Sequence, residues 1–232
     1  MIKLFGFGKA FGVMDASPFV LKLHTYFRMI GVDYEDSNDS SNLQSAPKGK
    51  LPFIDDNGKK IADSSFIIDY INNKYKPTID DFLTDQEKAI AYLIGKSLDE
   101  NLYWCLVYAR WVREDTWQII KKNFFDKMPF PLRHIVPIIA RRDIKNKIKK
   151  HGIGLHSDQE ILDIADKSFK ALSDFLGNKK YFMGDKICSL DANAFGILAE
   201  FILVSLDDDF NTMAKKYKNL VDYCNRINKE FY

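Results

Sequence analysis

Three residue pairs in the first third of the chain are of types that could bind a ligand or do chemistry: Ser17-Pro18, Leu51-Pro52 and Asp63-Ser64. Pro52 opens the short apolar run Phe53-Ile54, removes a ladder donor there, and leaves the preceding backbone free to bind something other than a strand. Prolines in tight turns of this kind are often cis. Asp63-Ser64 stands just before Phe66, Ile67, Tyr70 and Ile71, which recur at helical spacing, so the pair sits where helix N-caps belong. Ser17-Pro18 reads as another helix start, with serine at N-cap and proline at N1. Ordinary capping accounts for the serine and for the acid when each dipeptide is taken alone. A ligand role needs the surrounding elements to bring the pairs together.

Those elements can be read along the chain. Ile2 to Phe7 is a buried strand, followed by a helix from Ser17-Pro18 in which Val20, Leu23, Phe27 and Ile30 share a face and Gly31 ends it. Val32 to Glu35 is a second strand, and the polar run Asp36 to Ser45 is an exposed loop or irregular edge. Asn57-Gly58, both tolerant of positive φ, turns a hairpin between Phe53-Ile54 and Lys59–Ala62. A helix from Ser64 to about Tyr75 completes a strand–helix–strand, strand–strand–helix unit, the thioredoxin-like order. Lys76 to Asp81 reads as a linker.

Everything beyond it is helical. Thr84-Asp85-Gln86-Glu87 and Ser157-Asp158-Gln159-Glu160 are capping boxes. A long helix or kinked pair covers about Asp85 to Lys127. A basic segment runs from Leu132 to Lys150, with Pro137 expected to kink it. The second capping box opens a helix that Gly177 ends, and two more helices cover about Ser189 to Leu206 and Thr212 to Glu230. The expected units are an α/β unit over 1–76, a linker over 77–82 and an all-α unit over 83–232.

Composition narrows the classes. A formal net charge of +2 carries no nucleic-acid signature. Three cysteines without a C-x-x-C pair argue against a disulfide framework and a structural zinc site. Cys224 shares an apolar stripe with Leu220, Val221 and Ile227 and reads as core. The start of the chain lacks a secretory pattern, and the apolar stretch Ala192 to Leu206, interrupted by Asn193 and Glu200, is too short to span a bilayer. A cytoplasmic protein without a metal centre is the expectation.

Several segments together resemble the glutathione transferase-like proteins of the failed axon connections family, relatives of the metaxins. They are Ser17-Pro18-Phe19-Val20-Leu21-Lys22-Leu23, Lys50-Leu51-Pro52-Phe53-Ile54, Ile61-Ala62-Asp63-Ser64-Ser65, Asn101-Leu102-Tyr103-Trp104, Tyr108-Ala109-Arg110-Trp111, the run His151 to Ser157, Gly184-Asp185 and Ser189-Leu190-Asp191-Ala192. The match spans nearly the whole chain. Three positions depart from the family's pattern: Val20 stands where a cysteine is common, Leu155 where an arginine is usual, and Cys188 where the fold's Ser/Thr-x-x-Asp helix cap begins.

The resemblance implies a glutathione transferase fold, with glutathione as co-substrate and a homodimer as the working form. It places an activating hydroxyl at Ser17, which with the positive end of its helix would favour the thiolate and lower a thiol pKa from about 8.5 toward roughly 7. Serine cannot form a mixed disulfide, so conjugation is expected over thiol exchange. Leu51 would pair its backbone with the cysteinyl part of the tripeptide, Pro52 would fix that geometry, and Asp63 and Ser64 would receive the γ-glutamyl end. Lys50 would face the glycyl carboxylate. Phe11, Met14, Trp104, Tyr108 and Trp111 would line the pocket for a small hydrophobic electrophile. Arg28, Arg110 and Arg113 read as solvated helix charges or contacts to an anionic substrate.

Three classes follow: a glutathione-dependent transferase acting in detoxification, a non-catalytic binding or scaffold protein on the same fold, and a membrane-surface protein. The last rests on the basic, isoleucine-rich segment 133–150, which also reads as the outer face of a packed helix.

Overall fold

The structure, a computed structural model, describes residues 1–39 and 41–232. Its first half is a four-stranded mixed sheet in the order β2-β1-β3-β4, formed by β1 (Ile2–Gly6), β2 (Tyr34–Asn38), β3 (Phe53–Asp56) and β4 (Lys59–Ala62). β1 runs parallel to β2 and antiparallel to β3, with Phe5 opposite Phe53, and β3 pairs antiparallel with β4. Ile2 and Leu4 alternate inward, as a half-buried strand requires. Asn57 (φ 54°) and Gly58 (φ 90°) turn the hairpin with the left-handed backbone that the dipeptide predicts.

Helix α1 (Pro18–Met29) packs on the sheet through Val20, Leu23 and Phe27, and Gly31 (φ 65°) follows its end. Helix α3 (Ser64–Tyr75) follows β4. The second strand starts later than the expected Val32 and continues to Asn38, so the first residues of the polar run are an edge strand. They escape a hydrophobicity reading because neither face of this edge is strongly buried. The one-turn helix α2 (Asn42–Ser45) follows, tied back by the Asn42 amide donating to the carbonyls of Gly6 (3.1 Å) and Ser37 (2.6 Å). Ser40, within the segment expected as a loop, lies outside the described residues.

The second half is helical: α4 (Asp85–Ser97), α5 (Tyr103–Trp111), α6 (Glu114–Phe125), α7 (Leu132–His151), α8 (Asp158–Leu176), α9 (Ser189–Ile202), α10 (Asp209–Ala214) and α11 (Lys218–Phe231). Both capping boxes form, at Thr84/Glu87 and Ser157/Glu160. The expected long helix over 85–127 is three pieces. A π-helical turn over Leu98–Leu102 separates α4 from α5, and the extended backbone of Arg113 (ψ 137°) starts α6 in a new direction. Helix α7 continues through Pro137 rather than stopping there.

Helix α9 is the axis of the molecule. Every residue from Leu190 to Ile202 is buried, which explains why this stretch is apolar: it is encased in protein. Among the described residues no helix is long and apolar enough to cross a membrane. Gly196 allows α1 to lie against α9, since a Cβ there would sit 2.6 Å from the Pro18 carbonyl oxygen. The start of α9 is held by Asp191 rather than by Cys188 or Ser189. Its carboxylate accepts from the N–H groups of Phe182 and Cys188 (both 2.9 Å), the Cys188 thiol (3.3 Å) and the Tyr223 hydroxyl (3.2 Å). A cysteine at the cap is tolerated because the acid three residues on supplies the acceptor.

Candidate active site

The sheet brings Ser17, Leu51 and Asp63-Ser64 to one end of the α/β unit. The Phe5–Phe53 pairing puts the residues after β1 beside those before β3. The Leu51-Pro52 peptide is cis, and the Pro52 carbonyl accepts from the Asp63 N–H at 3.4 Å, which joins the β3 entry to the start of α3. Leu51 and Pro52 are buried, and Lys50 is exposed beside them. Asp63 takes φ 83°, a left-handed conformation rare for a residue with a Cβ, and caps α3 by accepting from the Ser65 N–H at 3.0 Å. Asp63 is exposed and Ser64 is buried.

Ser17 occupies the N-cap position of α1 with extended backbone (φ −97°, ψ 122°), yet its hydroxyl makes no capping bond. Asp15 holds the backbone of the turn that leads into the helix. One of its carboxylate oxygens accepts from the Ser17 N–H (2.8 Å) and the other from the Gly8 N–H (2.7 Å). The serine hydroxyl makes no bond to its own helix. The arrangement depends on Gly6, where a Cβ would sit 2.5 Å from the Asp15 carboxylate. Burial pushes the Asp15 carboxyl up to about 7, against its two backbone hydrogen bonds and assisted by nearby Glu200.

Behind this turn lies a buried ion pair that the sequence did not reveal. Arg110, from α5, donates to the Ala16 carbonyl (2.9 Å) and the Glu200 carbonyl (3.2 Å), and pairs with the Glu200 carboxylate at 2.6 Å. Both side chains are buried, so Arg110 is a structural tie between α5, α9 and the residue before Ser17, and not a solvated charge. Burial raises the Glu200 carboxyl above its ordinary range despite Arg110. A second buried pair, Lys22 with Asp99 at 3.7 Å, links α1 to the π-helical turn. Of the other expected arginines, Arg28 donates to the Phe231 carbonyl and Arg113 meets Asp115, Asp158 and Asp209.

The aromatic residues divide. Phe11 is buried and Met14 half-buried in the loop before α1. Phe124, near the end of α6, meets both Phe7 and Phe11 edge-on at 6.1 Å. Trp104 stacks on His151 of α7 (4.4 Å), Trp111 lies against Trp117 of α6 (5.4 Å), and Tyr108 packs toward Phe210 (6.5 Å). The shared face of Trp104, Tyr108 and Trp111 is therefore occupied by the helical half. Tyr103, one residue earlier, is the α5 aromatic that reaches α1, at 4.7 Å from Phe19. Helical spacing groups residues on a face but does not say which neighbour that face meets. Of the departures noted in the sequence, Val20 is fully buried in the sheet core and Leu155 is 70% exposed.

Comparison with known proteins agrees with this architecture. The glutathione S-transferase N-terminal domain matches residues 18–116, and the glutathione S-transferase C-terminal domain matches residues 165–227. An isoprene-epoxide–glutathione S-transferase of Rhodococcus sp. (strain AD45) is 32% identical over 100% of this chain and 99% of its own length. Failed axon connections of Drosophila melanogaster is 30% identical over 98% of this chain, which spans 57% of that protein. Human metaxin-2 is 28% identical over 81% of this chain and 72% of its own. Among solved structures, the β-etherase LigF of a Sphingobium strain superposes with a TM-score of 0.65, covering 99% of this chain and 98% of that one at 20% identity, a likeness of fold.

Proposed function

Since the chain belongs to the glutathione S-transferase family, we propose that it is a glutathione-dependent transferase whose Ser17 hydroxyl donates to the glutathione sulfur. The observation that carries this reading is the N-cap serine whose hydroxyl does not cap its helix, while Asp15 holds its backbone N–H. A hydroxyl released from its own helix and set beside that helix's N-terminus suits a thiolate. Lowering a thiol pKa from about 8.5 to about 7 raises the thiolate fraction at neutral pH by roughly tenfold.

In this reading the tripeptide lies beside Leu51 and Pro52, its cysteinyl backbone paired with Leu51. Its ammonium faces Asp63, and its γ-glutamyl carboxylate meets the Ser64 hydroxyl and the first N–H groups of α3. Lys50 answers the glycyl carboxylate. The thiolate attacks an electrophilic carbon, forms the C–S bond, and the leaving atom takes the electron pair and a proton. Phe11 and Met14, with Phe7 and Phe124, suit a small hydrophobic electrophile. The full-length similarity to an isoprene-epoxide transferase supports a substrate of that size. A cytoplasmic homodimer acting in detoxification belongs to the same proposal.

The test is conjugation of glutathione to a chromogenic electrophile by the wild type and by Ser17→Ala. At least about a tenfold fall in kcat/KM with the fold retained is expected, and equal rates in the two proteins would remove the serine from the mechanism. A second reading, a binding or scaffold protein, is favoured by the low exposure of Ser17, 9%, and by the likeness to Failed axon connections and metaxin-2. Intact cellular function in a Ser17→Ala/Asp63→Ala variant would support it.

A further inference from the structure

Helices α6 and α7 present an outer surface that the transferase reading does not use. In the connection before α7 and along its first turns, Phe130 (76% exposed), Leu132, Ile135, Ile138 (70% exposed) and Ile139 face solvent. Ile135, Ile138, Arg142, Lys145 and Lys149 recur three or four residues apart, so one helix face passes from apolar to cationic along its length. Between α6 and α7 lies an open cavity of about 420 Å³, lined in part by Lys121, Ile138, Arg142 and Lys145. Arg141 at its wall is already committed, bonding the Trp111 and Val112 carbonyls and the Glu114 carboxylate. Lys121, Arg142 and Lys145 form no ion pair among the described residues.

Charge decides what covers this face. Residues 132–151 hold seven lysines and arginines against one acid, Asp143. A second copy docked face to face would oppose like charges. A nucleic acid would leave the isoleucines without a partner. A surface with anions at one depth and hydrocarbon just below meets both halves of the strip. We propose that the outer face of α6 and α7 docks on an anionic phospholipid bilayer. Phe130, Leu132, Ile135, Ile138 and Ile139 enter the interface, and Lys121, Arg142 and Lys145 hold headgroup phosphates around the cavity. The proposal stands apart from the chemistry at Ser17.

The test uses the full chain with vesicles of phosphatidylcholine, with and without phosphatidylserine, at low salt. Co-sedimentation with the serine-containing vesicles alone is expected. Arg142→Gln/Lys145→Gln should weaken it roughly thirtyfold, at about fivefold for each cation removed. Ile138→Ser/Ile139→Ser, at exposed positions, should weaken it at least about tenfold, with circular dichroism and glutathione conjugation unchanged in both variants. The proposal is overturned by no sedimentation with anionic vesicles, by equal sedimentation with neutral ones, or by binding that neither variant alters. A concentration-dependent dimer that Ile138→Ser/Ile139→Ser converts to monomer would also overturn it, because the face would then belong to a second copy.

Discussion

Replacing Arg110 by methionine isolates the buried pair that anchors the Ser17 turn. The change keeps the length of the side chain but deletes donors to the Ala16 carbonyl, the Glu200 carbonyl and the Glu200 carboxylate. Glu200 is fully buried, so its carboxylate would be left without a counter-charge, which costs about 3–5 kcal/mol. The cost depends on pH with a definite sign. Burial holds the Glu200 carboxyl above its ordinary value, and Arg110 is what opposes that rise. Without Arg110 the folded-state pKa rises further above the unfolded one, so stability present at acid pH is lost as pH increases through the folded pKa. The deficit should therefore be smaller near pH 5 than at alkaline pH, and at least about 2 kcal/mol for the two carbonyl bonds lost. Near pH 8 the deficit should be about 4 kcal/mol. Arg110→Met/Glu200→Leu should recover to within about 1 kcal/mol of wild type at both values, because an apolar pair replaces the ionic one. Urea unfolding followed by circular dichroism measures all three proteins. A single variant within about 0.5 kcal/mol of wild type near pH 8, or a double variant no better than the single, would refute the reasoning.

Three further outcomes follow from the same structure. Asp191→Ala strands the Phe182 and Cys188 N–H groups in the core, while the Tyr223 hydroxyl keeps its bond to the residue-191 carbonyl, and should cost at least about 3 kcal/mol in denaturant unfolding. For Asp15, a folded pKa raised to about 7 from 3.8 means stability that is complete below the lower value and lost as pH rises toward the upper one. Asp15→Asn, which cannot ionise, should therefore gain on wild type by up to about 4 kcal/mol between acid and mildly alkaline pH, read by thermal melts. Asp63→Ala removes the α3 cap and should cost about 1 kcal/mol in stability, while calorimetry should show glutathione affinity falling at least about tenfold.

Much of the architecture was readable from local chemistry. Asn57-Gly58, the two capping boxes and Ser17-Pro18 each state their geometry in a few residues, and the structure places them so. The strand at Tyr34–Asn38 was displaced in the reading because edge residues need not alternate. The breaks at Leu98–Leu102 and Arg113 carry no glycine or proline to announce them. At the site, Ser17, Leu51 and Asp63 were legible as helix-start and strand-entry residues. Arg110, Glu200 and Phe124 were not, because their roles arise from contacts between the two halves, and Asp15 was not, because its role is set by how the loop before α1 folds back on Gly8 and Ser17. The one available signal was a charge inside an apolar run, Glu200 within 192–206, which in a folded core demands a buried partner.

A crystal grown or soaked with glutathione tests the central claim most directly. The account predicts the sulfur within about 3.5 Å of the Ser17 Oγ, the cysteinyl backbone paired with Leu51 and the γ-glutamyl end at Asp63 and Ser64. Glutathione bound with its sulfur directed away from the start of α1, or no glutathione at millimolar concentration, would contradict it.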